Sequence, residues 1–248
     1  MSLDESDFSA LDARDVGDES VSPEQVISAA VEEFAEHGYT DTKLEQIAKL
    51  SGMSKRMIHY HFGDKLGLYL QALAEAMARL HPDPEDMELD STVPVEGVRK
   101  LVDAIFLRFA EHPEAVRMIL LENLHHYADL KDFSPIPDEA SITLHLDKLL
   151  MLGQDAGAFR PGISAYDVFL LISALSCYPV SNGETALASF GVDLGIPDNQ
   201  SGIHRLVVDS VLAFLTSNIP HSGEDSYLVP VGDGPSSQVG QDIYGDET

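Results

Sequence analysis

The sequence has few of the residues that build cysteine sites, cross membranes or attract nucleic acid. One of its 248 residues is cysteine, so neither an intrachain disulfide nor a zinc site made of several cysteines is possible. No run of 18 apolar residues occurs, and the N-terminus lacks the basic and apolar segments of a signal peptide. We therefore expect a cytoplasmic protein with no membrane association.

Basic residues are also scarce: the chain has 15 lysines and arginines but 42 acidic residues, and its net charge is -27. Such a charge argues against nucleic-acid binding, because an acidic surface repels DNA. The acidic residues are unevenly distributed, however, and residues 53–65 contain Lys55, Arg56 and Lys65 against Asp64 alone. A local basic surface is therefore predicted there and nowhere else.

Composition divides the chain into two tails and two folded regions. Residues 1–21 and 220–248 are rich in Asp, Glu, Ser and Gly and lack periodicity, which predicts disordered acidic tails. Between them apolar residues recur at i, i+3, i+4 and i+7, which predicts an all-α fold. A Pro- and acid-rich stretch at 81–94 predicts a boundary between a domain at 22–80 and a larger one at 81–219.

Capping signals divide the smaller domain into short helices. Ser22-Pro23-Glu24-Gln25 has the pattern of a helix start with a capping box between Ser22 and Gln25, and Gly38 is expected to end that helix. Thr42 and Glu45 have the spacing of a second capping box, which predicts that Thr42 caps the next helix.

Ser51-Gly52 is expected to break the second helix, and a third is predicted from about Ser54 to His61. Asp64 then caps a fourth helix that ends near Leu80. The third helix is predicted to place two residues inward, Met57 and Ile58, and three toward solvent, Lys55, Arg56 and His59. Short helices joined by a tight turn are the arrangement with which a helix-turn-helix enters the major groove of DNA.

The run from Asp41 to Leu73 closely resembles the DNA-binding signature of the TetR family of repressors. The resemblance covers about 50 residues with the first helix included. The family pattern is kept at Ser54, Tyr60, His61, Phe62, Gly63, Asp64 and Lys65. The sequence departs from it at His59, where tyrosine is common, and at Leu66-Gly67, where acidic residues often follow the lysine.

The resemblance implies a set of DNA contacts around the third helix. Lys55, Arg56 and His59 would lie at or near base edges, and lysine and arginine suit guanine O6 and N7 or phosphate. The full set of candidate DNA-binding residues is Thr42, Ser54, Lys55, Arg56, His59, Tyr60, His61 and Lys65. Packing is the alternative role for Tyr60, and a solvated charge is the alternative for Lys65.

The larger domain is predicted to be a helical bundle. Helices are expected near 95–111, 113–127, 138–156, 164–180, 184–190 and 200–218. The last of these is apolar around much of its circumference, so it needs two partners. The family resemblance implies that it pairs with the preceding long helix to form the interface of a homodimer.

A second resemblance concerns the segment around Ser181-Asn182, Thr185 and Phe190-Gly191, which looks like the C-terminal domain of the TetR subgroup that includes the pyrimidine-utilisation repressor. It implies a cavity for a small-molecule effector without specifying the ligand. Candidate lining residues are the polar or aromatic positions Phe106, Phe109, Asn123, Tyr127, Phe169, Cys177, Tyr178 and Asn182. For each of them ordinary packing is the alternative, and Asn182 is also expected to cap the turn after the 164–180 helix.

No metal or cofactor is expected. His125 and His126 are adjacent on a predicted helix, where their side chains point about 100° apart and cannot easily chelate one ion. The motifs of hydrolases, phosphate loops and metalloproteases are absent from the sequence, so we do not expect an enzyme. The expectation is a repressor that binds a palindromic operator as a dimer and is released by an effector. The alternative is an acidic helical interaction protein that has lost DNA binding.

Overall fold

A computed structural model of the chain describes residues 21–83, 85–87, 93–128, 130, 142–220 and 226–228. These residues form nine α-helices and no strand, which confirms the predicted all-α class. The helices are α1 Pro23–Asp41, α2 Leu44–Ser51, α3 Lys55–Phe62, α4 Lys65–Arg79, α5 Pro94–Glu111, α6 Pro113–His125, α7 Ile142–Asp155, α8 Ala165–Phe190 and α9 Pro197–Thr216. None of them is long and apolar enough to cross a membrane. Most of the two predicted acidic tails lies outside the described residues.

The chain forms two compact units, here called unit 1 and unit 2. The described part of unit 1 is residues 21–78 together with 117–128 and Leu130, which supply α1 to α4 and most of α6. Unit 2 begins at Arg79 and contains α5, the first residues of α6, and α7 to α9. The chain therefore leaves unit 1 at the end of α4 and returns to it within α6. The composition predicted a single boundary at 81–94, and this prediction does not include the return of α6 to unit 1.

The predicted capping box of α1 is confirmed. The Ser22 N–H donates to Gln25 Oε1 over 2.9 Å, and Ser22 Oγ accepts the Gln25 N–H over 3.4 Å. The positive φ of +71° at Gly38 interrupts the helical backbone near its end. The predicted cap of α2 is wrong: its N-cap is Lys43, whose N–H donates to Gln46 Oε1 over 3.1 Å. Thr42 instead donates its hydroxyl to carbonyls of α1, and this takes the place of the predicted box.

The core of unit 1 is aromatic and aliphatic, with one buried carboxylate. Its fully buried side chains include Val26, Ala30, Val31, Phe34, Ile47, Ile58, Leu68, Tyr69 and Leu73. The Phe34 and Tyr69 rings meet edge to face with centroids 4.9 Å apart. Glu122 of α6 is 2% exposed; its Oε2 accepts the Tyr69 hydroxyl over 2.8 Å and its Oε1 accepts the Ala128 N–H over 3.0 Å. Both oxygens of the buried carboxylate are thus satisfied.

In unit 2, α5 packs against α7, α8 and α9, and α8 packs against α7 and α9. Two predicted helices, 164–180 and 184–190, are one continuous helix of 26 residues that contains Pro179. Pro179 lacks the N–H that would bond to the carbonyl four residues earlier, and the helix nevertheless continues to Phe190. Ser181 Oγ donates to the Cys177 carbonyl over 3.1 Å, and Thr185 Oγ1 donates to the Asn182 carbonyl over 3.0 Å. Because the helix continues, Asn182 does not cap a turn as predicted.

Residues 226–228 of the C-terminal tail contact unit 2. The N–H groups of Tyr227 and Leu228 donate to the Asp167 carboxylate over 3.2 and 2.9 Å. Asp167 is buried at the start of α8, where its carboxylate also accepts the Ser164 N–H over 2.8 Å. Arg160 lies over the Phe214 ring at 4.6 Å and donates to the Tyr227 hydroxyl over 3.3 Å. This ordered contact differs from the expectation of a wholly disordered tail.

Candidate DNA-binding surface and effector region

A tight turn joins α2 to α3. Gly52 ends α2 in the left-handed region with a φ of +81°, which glycine adopts without steric cost. Ser54 then caps α3 by accepting the Met57 N–H over 3.3 Å. Buried Met53 lies between the two caps. Both helices are thereby fixed relative to the turn, as a helix-turn-helix requires.

The exposed face of α3 carries basic and aromatic side chains and no carboxylate. Ile58 is buried and holds the helix to the core, as predicted. The prediction for Met57 is wrong: its side chain is 42% exposed, because only one position of this two-turn helix faces the core. The exposed candidates on α3 are Lys55, Arg56, His59, Tyr60 and His61. They form a compact surface that offers cationic and hydrogen-bonding groups to an anion.

Lys55 is not free on this surface, since its ammonium pairs with the Glu45 carboxylate of α2. Both side chains are about half exposed or more, at 47% and 63%, so water screens the pair and its net stabilisation is small. The hydrogen bond from the Lys55 ammonium is also the largest of the effects that lower the pKa of Glu45. A phosphate or a guanine that bound Lys55 would have to replace this carboxylate.

Arg56 is exposed and has no ion-pair partner among the described residues, so its guanidinium is available for a bidentate contact with guanine or phosphate. Tyr60 is 79% exposed and its ring meets the His61 ring edge to face at 5.2 Å, which leaves its hydroxyl in solvent rather than in the core. His59 Nδ1 lies 2.8 Å from the Gly63 carbonyl oxygen. Because a carbonyl only accepts, that nitrogen carries the proton and Nε2 remains for another partner.

Two candidates have structural partners that their sequence pattern did not indicate. Thr42 is 1% exposed, and its hydroxyl lies 2.8 Å from the Gly38 carbonyl and 3.1 Å from that of Glu33. Lys65 donates to the Thr40 carbonyl over 3.1 Å and lies 4.7 Å from the centre of the Tyr39 ring. Burial lowers the pKa of the Lys65 ammonium, although Asp41 acts in the opposite direction. Both side chains therefore tie α2 and α4 to the end of α1.

The departure from the family pattern at Gly67 has a steric reason. A Cβ at this position would lie 2.1 Å from the Phe62 carbonyl oxygen, far inside contact distance. The Gly67 N–H donates to Asp64 Oδ1 over 2.8 Å, which confirms the predicted cap of α4. The close approach of α3 to the start of α4 thus depends on glycine.

The predicted effector residues are divided between the two units. Asn123 and Tyr127 belong to unit 1, where Asn123 is exposed and the Tyr127 ring packs against Tyr39 at 5.1 Å. The other six belong to unit 2: Phe106 and Phe109 on α5, and Phe169, Cys177, Tyr178 and Asn182 on α8. Phe169 and Asn182 are separated by about 20 Å along α8 at 1.5 Å per residue, which exceeds the span of a small ligand. Tyr178 is also largely exposed.

Two buried polar side chains of unit 2 were not among the predicted effector residues. His145 of α7 and Ser176 of α8 are each 4% exposed. The Ser176 hydroxyl has no hydrogen-bond partner among the described residues. Burial and Lys148 lower the pKa of His145, and a hydrogen bond with the Met87 backbone opposes them. In the sequence each is one polar residue between apolar neighbours, Leu-His-Leu and Leu-Ser-Cys, and this pattern does not show which side chain is buried. Within the described residues no group of histidine, cysteine and carboxylate side chains has the arrangement of a metal site.

A two-domain helical regulator with an N-terminal helix-turn-helix is the class that this geometry defines, and comparisons with known proteins agree. Residues 26–72 match the family described as "Bacterial regulatory proteins, tetR family", and residues 94–211 match "Tetracyclin repressor-like, C-terminal domain". The chain is 31% identical to the HTH-type transcriptional repressor NicS of Pseudomonas putida, over 77% of this chain and 89% of that protein. It therefore belongs to the TetR family of transcriptional regulators.

Two further comparisons refine this assignment. The HTH-type transcriptional regulator RutR of Escherichia coli is 29% identical over 42% of this chain and 49% of its own length, and this confirms the predicted resemblance to that subgroup. The crystal structure of the putative transcriptional regulator SCO4942 from Streptomyces coelicolor superposes with a TM-score of 0.54. It is 26% identical and covers 74% of this chain and 94% of that one.

Proposed function

We propose that this TetR-family regulator is a repressor that binds a palindromic operator as a homodimer and leaves it when a small effector binds unit 2. The observation that carries the DNA-binding part is the exposed surface of α3, where Lys55, Arg56, His59, Tyr60 and His61 project without a carboxylate among them. In a chain of net charge -27, such a surface is unexpected unless it meets an anion.

The contacts we propose divide by chemistry. Arg56 and Lys55 suit base edges or phosphates in the major groove, and Lys55 exchanges the Glu45 carboxylate for DNA when it binds. Tyr60, His61 and the Ser54 end of α3 suit phosphates beside the groove. We assign the Thr42 hydroxyl and the Lys65 ammonium a supporting role in the position of α2 and α4, because each is already hydrogen-bonded to a backbone carbonyl.

The homodimer is supported by apolar side chains that α8 and α9 leave exposed. Tyr166, Leu170 and Tyr178 recur on α8 at multiples of four residues, and Leu206 of α9 is more than half exposed. Exposed apolar side chains on two helices that pack together are typical of a protein interface. A second copy of the chain covers it in this proposal, and the twofold symmetry accounts for a palindromic operator.

Release by an effector requires that the ligand bind one conformation of the protein more tightly than the other. A ligand with equal affinity for both leaves the conformational equilibrium unchanged. Couplings of this kind amount to about 1 to 3 kcal/mol. The acidity of the chain suppresses non-specific binding and makes operator binding strongly dependent on salt. Because its target is operator DNA, we place the protein in the cytoplasm, and we propose no catalytic activity for it.

Selection of bound sequences from a random duplex library at low salt tests the proposal. We expect the wild type to enrich a palindrome and the Lys55→Ala/Arg56→Ala variant to enrich nothing. The matched control is Arg99→Ala/Lys100→Ala, which removes the same two adjacent charges from α5 and should enrich the wild-type palindrome. If neither the wild type nor the control enriches any sequence, the proposal fails and the acidic interaction protein becomes the better description.

A further inference from the structure

We propose that the acidic segment before α1, residues 1–20, binds the exposed face of α3 when DNA is absent and competes with DNA for that face. These residues lie outside the part of the chain that the structure describes. The inference rests on the proposed function, because it takes α3 as the surface that DNA also binds. Its support comes from the position of Val21, the charges around the turn between α2 and α3, and the charge of the segment.

The described chain starts beside the turn between α2 and α3. A Cβ added to Gly52 in this turn would lie 3.4 Å from Val21 Cγ2, which is van der Waals contact. The hydrogen bond with the Ser22 side chain is the largest of the effects that lower the pKa of Glu24, and an electrostatic interaction with His61 of α3 is a smaller one. The start of α1 therefore also lies near α3, and residues 1–20 are attached next to the helix-turn-helix.

Exposed basic side chains surround this turn. Lys49 lies in the last turn of α2, and Lys55 and Arg56 lie in the first turn of α3, which contains no acidic residue. Lys55 pairs with Glu45, but Lys49 and Arg56 are exposed and form no ion pair within the described residues. The N–H groups at the start of α3 add to the positive potential there. A segment attached at Val21 thus lies beside a positively charged surface.

The segment has the complementary charge. Residues 1–20 contain seven acidic residues and one arginine, which gives a net charge of -6. Apolar residues such as Phe8 and Leu11 are interspersed among the acidic ones. Leu50 and Met57, which follow Lys49 and Arg56 in the chain, are exposed apolar side chains on the same helices. An acidic segment with interspersed apolar residues therefore suits this surface in both respects.

The length of the segment allows the contact. α3 has eight residues and is about 12 Å long at about 1.5 Å per residue. The four acidic residues nearest to Val21 are two to nine residues before it, so at about 3.3 to 3.6 Å per residue they lie within about 7 to 32 Å of it along an extended chain. They are Asp12, Asp15, Asp18 and Glu19. A tethered group also has a high effective concentration at a surface within its reach, which compensates for the weak attraction between exposed charges.

The contact would affect which DNA complexes form. Any DNA must displace the segment before it reaches α3, and the free energy of this displacement is the same for random and operator sequences. Non-specific complexes depend on phosphate contacts and are weaker than operator complexes. They are therefore the first to become unpopulated. The segment acts as an internal competitor that covers α3 until the protein meets a specific site.

A spin label on the segment tests the contact in the absence of DNA. Cys177 is the only cysteine of the chain, so Ser9→Cys in a Cys177→Ser background carries one nitroxide on the full-length protein. We expect the label to broaden the amide resonances of α3 at about 50 mM salt, and to lose much of this effect at about 0.5 M, where exposed charges are screened over shorter distances.

Neutralisation of the segment should reduce the broadening in the same way. The N-tail variant carries four substitutions, Asp12→Asn, Asp15→Asn, Asp18→Asn and Glu19→Gln. These changes leave the length of the tether unchanged, so any broadening that remains reports proximity alone. The proposal is wrong if the α3 resonances are not broadened, or if neither salt nor the N-tail variant reduces their broadening.

A matched pair of variants tests competition with DNA. The C-tail variant removes the same number and kind of charges from the other end of the chain, with Asp233→Asn, Asp242→Asn, Asp246→Asn and Glu247→Gln. Fluorescence anisotropy measures the binding of a short random-sequence duplex at low salt. We expect the N-tail variant to bind about five- to twentyfold more tightly than the wild type, and the C-tail variant to stay within about twofold. Equal gains for the two variants would show that net charge alone weakens binding and would overturn the proposal.

The two measurements separate this proposal from the DNA-binding function. A label that broadens α3 in a salt-dependent way, in a protein that binds no duplex with or without the N-tail substitutions, would refute the DNA-binding function and the competition, while the contact with α3 stands. A wild type that binds duplex DNA but shows no broadening of α3 would refute the contact alone.

Discussion

Unit 1 and unit 2 differ in how they use their polar side chains. In unit 1 the two buried polar residues, Thr42 and Glu122, are hydrogen-bonded, and α3 presents exposed basic and aromatic side chains. In unit 2 the buried Asp167 carboxylate is hydrogen-bonded, but the buried Ser176 hydroxyl has no hydrogen-bond partner among the described residues. The exposed surface of α3 is therefore built on hydrogen-bonded buried residues, whereas the core of unit 2 contains a polar group whose desolvation is not offset.

We expect the largest loss of stability when the hydrogen-bonded, buried carboxylate of unit 2 is removed. Asp167→Ala removes three acceptor bonds from a buried carboxylate and should lower the free energy of unfolding by about 3 kcal/mol. Urea denaturation measures the change. Asp147→Ala, at an exposed position on α7, is the control and should stay within about 0.5 kcal/mol. An equally small effect at Asp167 would mean that its contacts with residues 226–228 do not hold in solution.

The next prediction removes a partner in unit 1. Burial and the Glu122 carboxylate raise the pKa of Tyr69, so its hydroxyl is protonated and donates to Glu122. Tyr69→Phe leaves Glu122 Oε2 buried without this donor and should cost about 2 kcal/mol by urea denaturation. Tyr127→Phe, which deletes the hydroxyl of a neighbouring half-buried ring, should cost less than about 0.5 kcal/mol. Equal losses for the two variants would show that the carboxylate is not as tightly bound as its contacts indicate.

Removal of the buried His145 imidazole of unit 2 should have the opposite sign, because burial acts on this ring more strongly than its hydrogen bond with the Met87 backbone. His145→Leu is expected to raise the free energy of unfolding by about 1 kcal/mol at pH 7.5. The gain should grow as the pH falls through about 6.5, because the unfolded histidine then binds a proton that the folded one, with its lowered pKa, does not. Denaturation at pH 7.5 and 5.5 checks this, with the exposed His125→Leu as control. A loss of stability at both pH values would mean that the imidazole has a stabilising partner.

The smallest effect concerns the surface of unit 1. Glu45→Gln releases Lys55 from its ion pair and removes a negative charge beside α3, so operator affinity should rise by about two- to fivefold. Glu36→Gln, an exposed carboxylate on α1, should change it less. Fluorescence anisotropy at low salt measures both, and a lower affinity after Glu45→Gln would place that carboxylate among the groups that position α3.

Much of unit 1 was predictable because its sequence signals are local. Ser22 with Gln25 and Gly52 with Ser54 act on neighbouring residues, and their roles follow from backbone chemistry alone. The exposed positions Lys55 and Arg56 were predicted correctly for the same reason. Thr42 was not, because its hydroxyl bonds to α1 through a contact that helix spacing does not show.

Unit 2 was harder to predict because α8 is apolar on most of its faces. Periodicity then gives no indication of which polar residue points inward, so exposed Tyr178 was chosen and buried Ser176 was missed. The segments 164–180 and 184–190 were predicted as two helices with a turn between them, but α8 continues through Pro179. Asn123 and Tyr127 were assigned to the effector region because nothing in the sequence shows that α6 returns to unit 1.

The most direct test of the account is the salt dependence of operator affinity for the wild type and for Lys55→Ala/Arg56→Ala. For the wild type we expect the logarithm of the operator-binding constant to fall linearly with the logarithm of the salt concentration. The variant should bind at least about tenfold more weakly, with a slope smaller by about 1 to 2. Equal affinities and equal slopes for the two proteins would contradict the claim that α3 is the surface through which this regulator binds DNA.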